Sequence, residues 1–136
     1  MNQLATYLTF DGKTREAMEF YKECLGGELS LFKYSEAPGE FPAAEGDRVM
    51  HATLTNGPIT LMASDTMQRA ALRQGNNFSL SLHPESLEET ERLFAAIGKG
   101  GTIAMPLQDT FWGARFGMLT DRFGIQWMFN FDKSKS

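Results

Sequence analysis

Two histidines, one cysteine and a short aromatic run around an arginine are the parts of this 136-residue sequence that could do chemistry. His51 lies in an alternating stretch, sharing one side of the pleat with Val49, Thr53 and Thr55. An imidazole there can serve as an acid/base group or as a donor to a bound ligand, and the plainer reading is a hydrogen-bonded cleft or core residue. Asp65, just past the next apolar run, can orient His51, contact a ligand, or simply cap the connection that follows. His83 stands beside Pro84 at an expected exposed strand end. No Asp or Glu stands at metal-ligand spacing to either histidine. Cys24 sits on the apolar face of a helical stretch with no histidine near in sequence to activate it, which reads as a small buried hydrophobe.

Between Asp109 and Gly117 the chain interleaves Phe111, Trp112 and Phe116 with Arg115. A guanidinium in that setting can lie on an aromatic plane or clamp a phosphate or carboxylate. The structural alternative is an Asp109 to Arg115 ion pair with aromatic packing. Tyr7, Asn77, Ser79 and Ser81 offer the few polar contacts that orient a small ligand, or else are ordinary strand surface.

Composition narrows the partners. Thirteen Lys and Arg against seventeen Asp and Glu give a formal charge of -4 and a pI near 5.2, which argues against nucleic acid and against a basic membrane-surface helix. No apolar run reaches the roughly 18 to 20 residues that span a bilayer, and no basic-then-apolar leader opens the sequence. The expectation is a cytoplasmic protein. Gly98, Gly100 and Gly101 follow a helix and precede a strand, the reverse of a dinucleotide fingerprint, and neither a Walker-type loop nor a Gly-x-Ser-x-Gly elbow occurs.

These residues are carried by elements that the periodicity predicts. Strand 4–10, with Leu4, Leu8 and Phe10 on one face, is broken at Asp11-Gly12. Helix 14–25 follows, with Ala17, Met18, Tyr21 and Leu25 at helical spacing, and Gly26-Gly27 ends it. Then come strand 28–34, a loop over 35–47, and a hairpin of 49–55 and 59–64 turned through Asn56-Gly57-Pro58. Moved along by 74 positions, Leu4, Leu8, Phe20, Gly26, Gly27 and Leu29 fall on Phe78, Leu82, Phe94, Gly100, Gly101 and Ile103. The second copy has Ser86 as helix N-cap, strand 102–107 and a hairpin of 112–120 and 125–131, turned through Asp121-Arg122-Phe123-Gly124. The fold class is therefore α+β, with two β-α-β-β-β modules at about 1–65 and 77–131 in a single 136-residue domain. Residues 66–76 form the linker, lid-like or partly helical. Each module carries its helix on one sheet face, so the other needs cover, and two such sheets are expected to enclose a concave cleft suited to a small ligand.

Several runs resemble the PhnB-like branch of the glyoxalase, bleomycin-resistance and dioxygenase superfamily, also called vicinal oxygen chelate. They are Phe10-Asp11-Gly12, Glu16 to Tyr21, Leu25-Gly26-Gly27, Met50 to Leu54, Leu61 to Asp65, Asp109 to Gly117 and Asp121 to Trp127. The resemblance implies the same paired modules and a homodimer. In metal-dependent members a divalent cation is held from the first, fourth, fifth and eighth strands. Those positions fall here on Gln3 or Ala5, Thr60 or Leu61, Asn77 and Trp127. None is His, Asp or Glu, and an indole has no lone pair for a metal, so a divalent cation is disfavoured and no cofactor is expected.

The leading expectation is a binding or sequestration protein for a small anionic or aromatic molecule, contacted by Tyr7, Asn77, Ser79, Asp109, Trp112, Arg115 and Trp127. The alternative is an enzyme of the same fold, a lyase, isomerase or oxidoreductase, with His51 as acid/base and Arg115 stabilising negative charge. A plain dimerising scaffold is the third class. The branch is also often likened to a demethylubiquinone methyltransferase, but no glycine-rich loop after a strand suits S-adenosylmethionine.

Overall fold

Helical and alternating apolar patterns sort the chain into two units, Met1–Arg73 and Gln74–Ser136, in a computed structural model that describes residues 2–36, 46–66 and 72–135. In the first unit β1 (Thr6–Phe10), α1 (Thr14–Leu25), β2 (Glu28–Lys33), β3 (Val49–Asn56) and β4 (Ile59–Asp65) follow one another. The second unit repeats that order as β5 (Leu80–Leu82), α2 (Leu87–Gly98), β6 (Thr102–Asp109), β7 (Ala114–Thr120) and β8 (Gln126–Asp132). Each unit holds a four-stranded sheet, ordered β1-β4-β3-β2 in one and β5-β8-β7-β6 in the other. The outer strand that opens each unit pairs in parallel, and the remaining pairs are antiparallel. This is the expected α+β pattern of two β-α-β-β-β modules.

The helices pack by a single apolar stripe. Ala17, Met18, Tyr21, Cys24 and Leu25 of α1 are buried on β2, β3 and β4, while Leu93, Phe94 and Ile97 of α2 are buried on β6, β7 and β8. Cys24 is thus a core hydrophobe, as its position on the helix implies. The start of α2 is encoded locally: Ser86 accepts from the Glu89 amide at 3.1 Å, and the Glu89 carboxylate accepts from the Glu85 amide at 2.9 Å. The start of α1 is not, because Lys13 occupies the N-cap and its side chain makes no capping bond.

Both Gly-Gly pairs have the same physical cause. Gly26 and Gly100 take φ of 75° and 81°, and a Cβ on Gly27 or Gly101 would lie 2.2 Å from the carbonyl oxygen of Thr55 or Thr120. The repeated dipeptide ends each helix and lets its exit graze the third strand of its own sheet.

Several boundaries differ from the sequence reading. Leu4 is fully exposed and precedes β1, so the core face of that strand is carried by Phe10. Trp112 lies in the turn before β7, not in the strand, because Thr110 closes that turn by accepting from Gly113 at 3.2 Å and donating to the Ala114 carbonyl at 2.8 Å. Val49 does not share the His51 face. A register irregularity after Phe32 pairs Lys33 with Val49, and Val49 is buried at 1% exposure. The linker at 66–76 lies partly outside the described residues, and 72–76 form no helix or strand.

Candidate functional site

Period-two alternation separates each sheet into a face under its helix and a face without one. In the first unit Phe10, Ala52, Leu54, Leu61 and Ala63 are buried under α1. The opposite face carries Tyr7, Ser30, Thr53 and Met62 in one row, since Tyr7 pairs with Met62, Met62 with Thr53 and Thr53 with Ser30. His51, paired with Phe32, stands in the next row.

On that face His51 is held at both ring nitrogens. The Tyr7 hydroxyl lies 3.2 Å from Nδ1, and the Thr53 hydroxyl lies 3.0 Å from Nε2. The Tyr7 side chain reaches across β4 to do so, with ring centroids 5.8 Å apart. Either hydroxyl can donate or accept, so the pair accommodates both neutral tautomers and the imidazolium. Tyr7 is 48% exposed and Phe32 is 53% exposed, so the three rings present an accessible aromatic edge beside the hydroxyls. A phenol, an imidazole and an alcohol in series can orient a ligand carbonyl or hydroxyl and can move a proton along their length.

Asp65 takes no part in this arrangement. It lies on the α1 side of β4, where Oδ1 accepts from the Thr14 amide at 3.1 Å and hydroxyl at 2.8 Å, and Oδ2 accepts from the Val49 amide at 2.8 Å. The carboxylate caps α1 from another strand, which replaces the readings of a linker cap, an orienter of His51 or a ligand contact.

In the second unit the expected ligand residues separate. Arg115 turns to the α2 side, where Nη2 lies 2.9 Å from Glu91 and Nη1 lies 3.4 Å from Asp109. Lys133 approaches Asp109 at 3.3 Å, so two cations meet two carboxylates and no net positive charge remains there for an anionic ligand. The Lys133 hydrogen bond, aided by its charge and by Arg115, holds Asp109 below the usual carboxylate range against the opposing effect of desolvation. The arrangement is the ion pair of the structural alternative, joined by Glu91, a partner 24 residues away that no local spacing signals.

Trp127 is corrected more sharply. It is 3% exposed, faces α2 in register with Leu119 and Leu80, stacks on Phe129, and donates its indole N–H to Asp121 at 2.9 Å. The parity of β8 sends Trp127, Phe129 and Phe131 inward, and the helix-free face of that strand carries Gln126, Met128 and Asn130 instead. Trp112 is 57% exposed at the β6–β7 turn, edge-on to Phe111, which is 98% exposed. Asn77 and Ser79 are exposed in the segment leading into β5. Ser81 points to the helix-free side and lies 3.0 Å from His83 Nε2, a pairing of the second histidine that the spacing of two residues could have signalled.

The positions at which the resemblance places a cation's ligands do not fit one here, and Gln3, Ala5 and Asn77 lie outside the strands. Trp127 offers only a donor, already given to Asp121, and Leu61 is aliphatic and buried. Amides and a hydroxyl complete the set, a poor donor group for a transition metal. Among the described residues no group of three or more His, Cys, Asp or Glu side chains comes together.

Comparison with known proteins matches residues 3–129 to the Glyoxalase/Bleomycin resistance protein/Dioxygenase superfamily. The chain belongs to this superfamily. It is 43% identical to protein PA1353 from Pseudomonas aeruginosa, whose crystal structure superposes with a TM-score of 0.89 over 97% of this chain and 98% of that one. It is 32% identical to a PhnB protein from Bacillus cereus described as a putative 3-demethylubiquinone-9 3-methyltransferase, with a TM-score of 0.78 over 96% and 99% of the two chains. Protein YjdN of Escherichia coli strain K12 is 32% identical and is covered over 97% of its length, as is this chain. These relatives support the PhnB-like branch of the superfamily.

Proposed function

We propose that this glyoxalase-superfamily chain is a small-molecule-binding protein whose ligand rests on the helix-free face of the first sheet and is held by hydrogen bonds and aromatic contact, without a resident metal. The observation that carries this reading is His51 fixed between the Tyr7 and Thr53 hydroxyls on an accessible face. Of the anionic and aromatic ligands expected, the surroundings favour an aromatic one carrying a carbonyl or hydroxyl. Phe32 and Tyr7 supply exposed rings, and the neighbouring strand positions supply Ser30, Thr53 and Met62 with no Lys or Arg among them. A homodimer and a cytoplasmic location remain part of the proposal. What the structure adds is that no described helix is long and apolar enough to cross a membrane.

The test is a thermal-unfolding screen with aromatic aldehydes, phenols and carboxylates on the wild type and on His51→Ala and Tyr7→Phe. A ligand present at 100 times its dissociation constant adds about 2.7 kcal/mol to wild-type stability. The expected result is a shift for phenolic or carbonyl compounds that falls in both variants. A response equal in all three proteins would remove this face from the function.

The Tyr7–His51–Thr53 series also favours a second reading, an enzyme of the same fold that uses His51 as acid/base. Arg115 has no place in it, being neutralised by Glu91 and Asp109. The methyltransferase description of the Bacillus cereus relative is not adopted, because the turn after β1 is Asp11-Gly12-Lys13 and not a glycine-rich loop.

A further inference from the structure

Three methionines stand side by side on the second sheet. Met105 on β6 pairs with Met118 on β7, and Met118 pairs with Met128 on β8. Paired residues of an antiparallel ladder share a face, so the three thioethers form one row across adjacent strands. Their neighbours fix which face this is. A Cβ on Gly117 would meet Phe94 of α2, and Leu119 and Trp127, in register with one another, are buried under that helix, so the row lies on the helix-free side. On β5 the row continues into Ser81, the partner of Met128, and the His83 imidazole closes on the Ser81 hydroxyl at 3.0 Å. All three methionines are half-buried and so reachable from solvent. The rows on either side, Thr102–Thr120–Gln126 and Gln108–Phe116–Asn130, hold uncharged side chains.

Strand propensity by itself favours β-branched and aromatic residues at such positions, and three methionines in register depart from it. What they add is sulfur. A thioether is a neutral, polarisable donor that selects a soft cation such as copper(I), whereas hard divalent ions seek carboxylate and carbonyl oxygens. Directly opposed Cβ atoms lie about 5 Å apart and a methionine side chain turns about three rotatable bonds, so the outer two sulfurs can close over the central one. Trp127, to which the resemblance assigns a cation ligand, faces the other side of β8, so the row is a separate set of donors. We infer that Met105, Met118 and Met128 form a site for one soft monovalent cation of the copper(I) class.

Silver(I), supplied as its nitrate in chloride-free buffer, is the redox-inert probe. The full chain, isotopically labelled in its methionine methyl groups, is titrated and followed by NMR, each of the eight methionines being its own reporter. The Met105, Met118 and Met128 signals are expected to shift together and to saturate at one equivalent. Met18, buried with the thiol of Cys24 on α1, reports separately on silver taken by that residue. Copper(I) kept reduced with ascorbate is expected to move the same three signals, and zinc sulfate to leave them in place. Met118→Leu and Met128→Leu, both close to volume-conserving, are expected to lower the silver affinity about tenfold or more while the protein stays folded. The proposal is overturned if silver shifts are confined to Met18 or fail to saturate at the row, if copper(I) leaves the row unmoved, if zinc moves it as strongly as silver, or if either leucine variant keeps the wild-type affinity.

Discussion

At the scale of single residues, two buried carboxylates do structural work that their types alone would not announce. Asp65 satisfies the first turn of α1 and the entry to β3, and Asp121 accepts from the Phe123 and Ile125 amides and the Trp127 indole. Removing a buried acceptor strands its donors, a larger loss than the net value of the bonds themselves. Asp65→Ala should therefore cost about 3 kcal/mol in denaturant unfolding. Asp65→Asn should recover part of that, since one amide oxygen can still accept from Thr14 while its NH2 group opposes the Val49 N–H. Asp109 allows a test by pH. Its folded value is depressed by Lys133 first and then by Arg115, so its contribution is present above the ordinary carboxylate value and is lost as pH falls through the folded one. Carbon-detected titration should find Asp109 below the ordinary aspartate value, and Lys133→Ala should raise it. His51 was legible as a strand residue with chemical potential. Its capture by Tyr7, 44 positions away, was not, because pairing across β4 depends on sheet order.

At the scale of elements, the Gly-Gly repeat is the clearest case of local sequence recording a tertiary contact. Gly27 and Gly101 each lie where a methyl group would penetrate a carbonyl of their own sheet, whereas a Cβ on Gly113, at φ 87°, would meet nothing within 4 Å. Gly27→Ala and Gly101→Ala should each destabilise by at least ~3 kcal/mol, because backbone must move, while Gly113→Ala should lose only the ~1 kcal/mol of left-handed backbone strain. Gly27 shares the positive φ of Gly113, at 95°, so equal losses at these two sites in urea unfolding would show that conformation, and not close approach, is the cause there. Gly117 adds a contact that the sequence concealed. A Cβ there would stand 2.8 Å from Phe94 Cε2, so this glycine seats the α2 ring that packs edge-on against Phe129, and its nearness in sequence to Arg115 is incidental. In the edge strand β6 the pairing with β7 is irregular twice, and Pro106 lies within the second irregularity, between Met105 and Gln108, where a residue without an N–H is tolerated.

At the scale of the whole molecule, the donor chemistry predicts that purified protein dialysed against chelator and then against nickel or zinc retains less than one equivalent, and that its unfolding midpoint is the same before and after. One tightly held equivalent would contradict the reading of the positions at which the resemblance places a cation's ligands. Two β-α-β-β-β units, the Gly-Gly stops of both helices, the start of α2 and the Gly57-Pro58 and Asp121–Gly124 turns follow from the sequence by itself, since periodicity, capping and turn chemistry act over a few neighbouring residues. The same is true of the superfamily, whose marks lie in short runs along both units. What only the tertiary structure decided is which face each side chain meets. A single irregularity took Val49 from the His51 face into the core, the parity of β8 sent Trp127 under α2, and Arg115 found Glu91 on a helix distant in sequence. Side-chain direction in a strand reverses with every residue, so a shift of one position exchanges a ligand-facing group for a core group, and that choice is made by the register of the sheet.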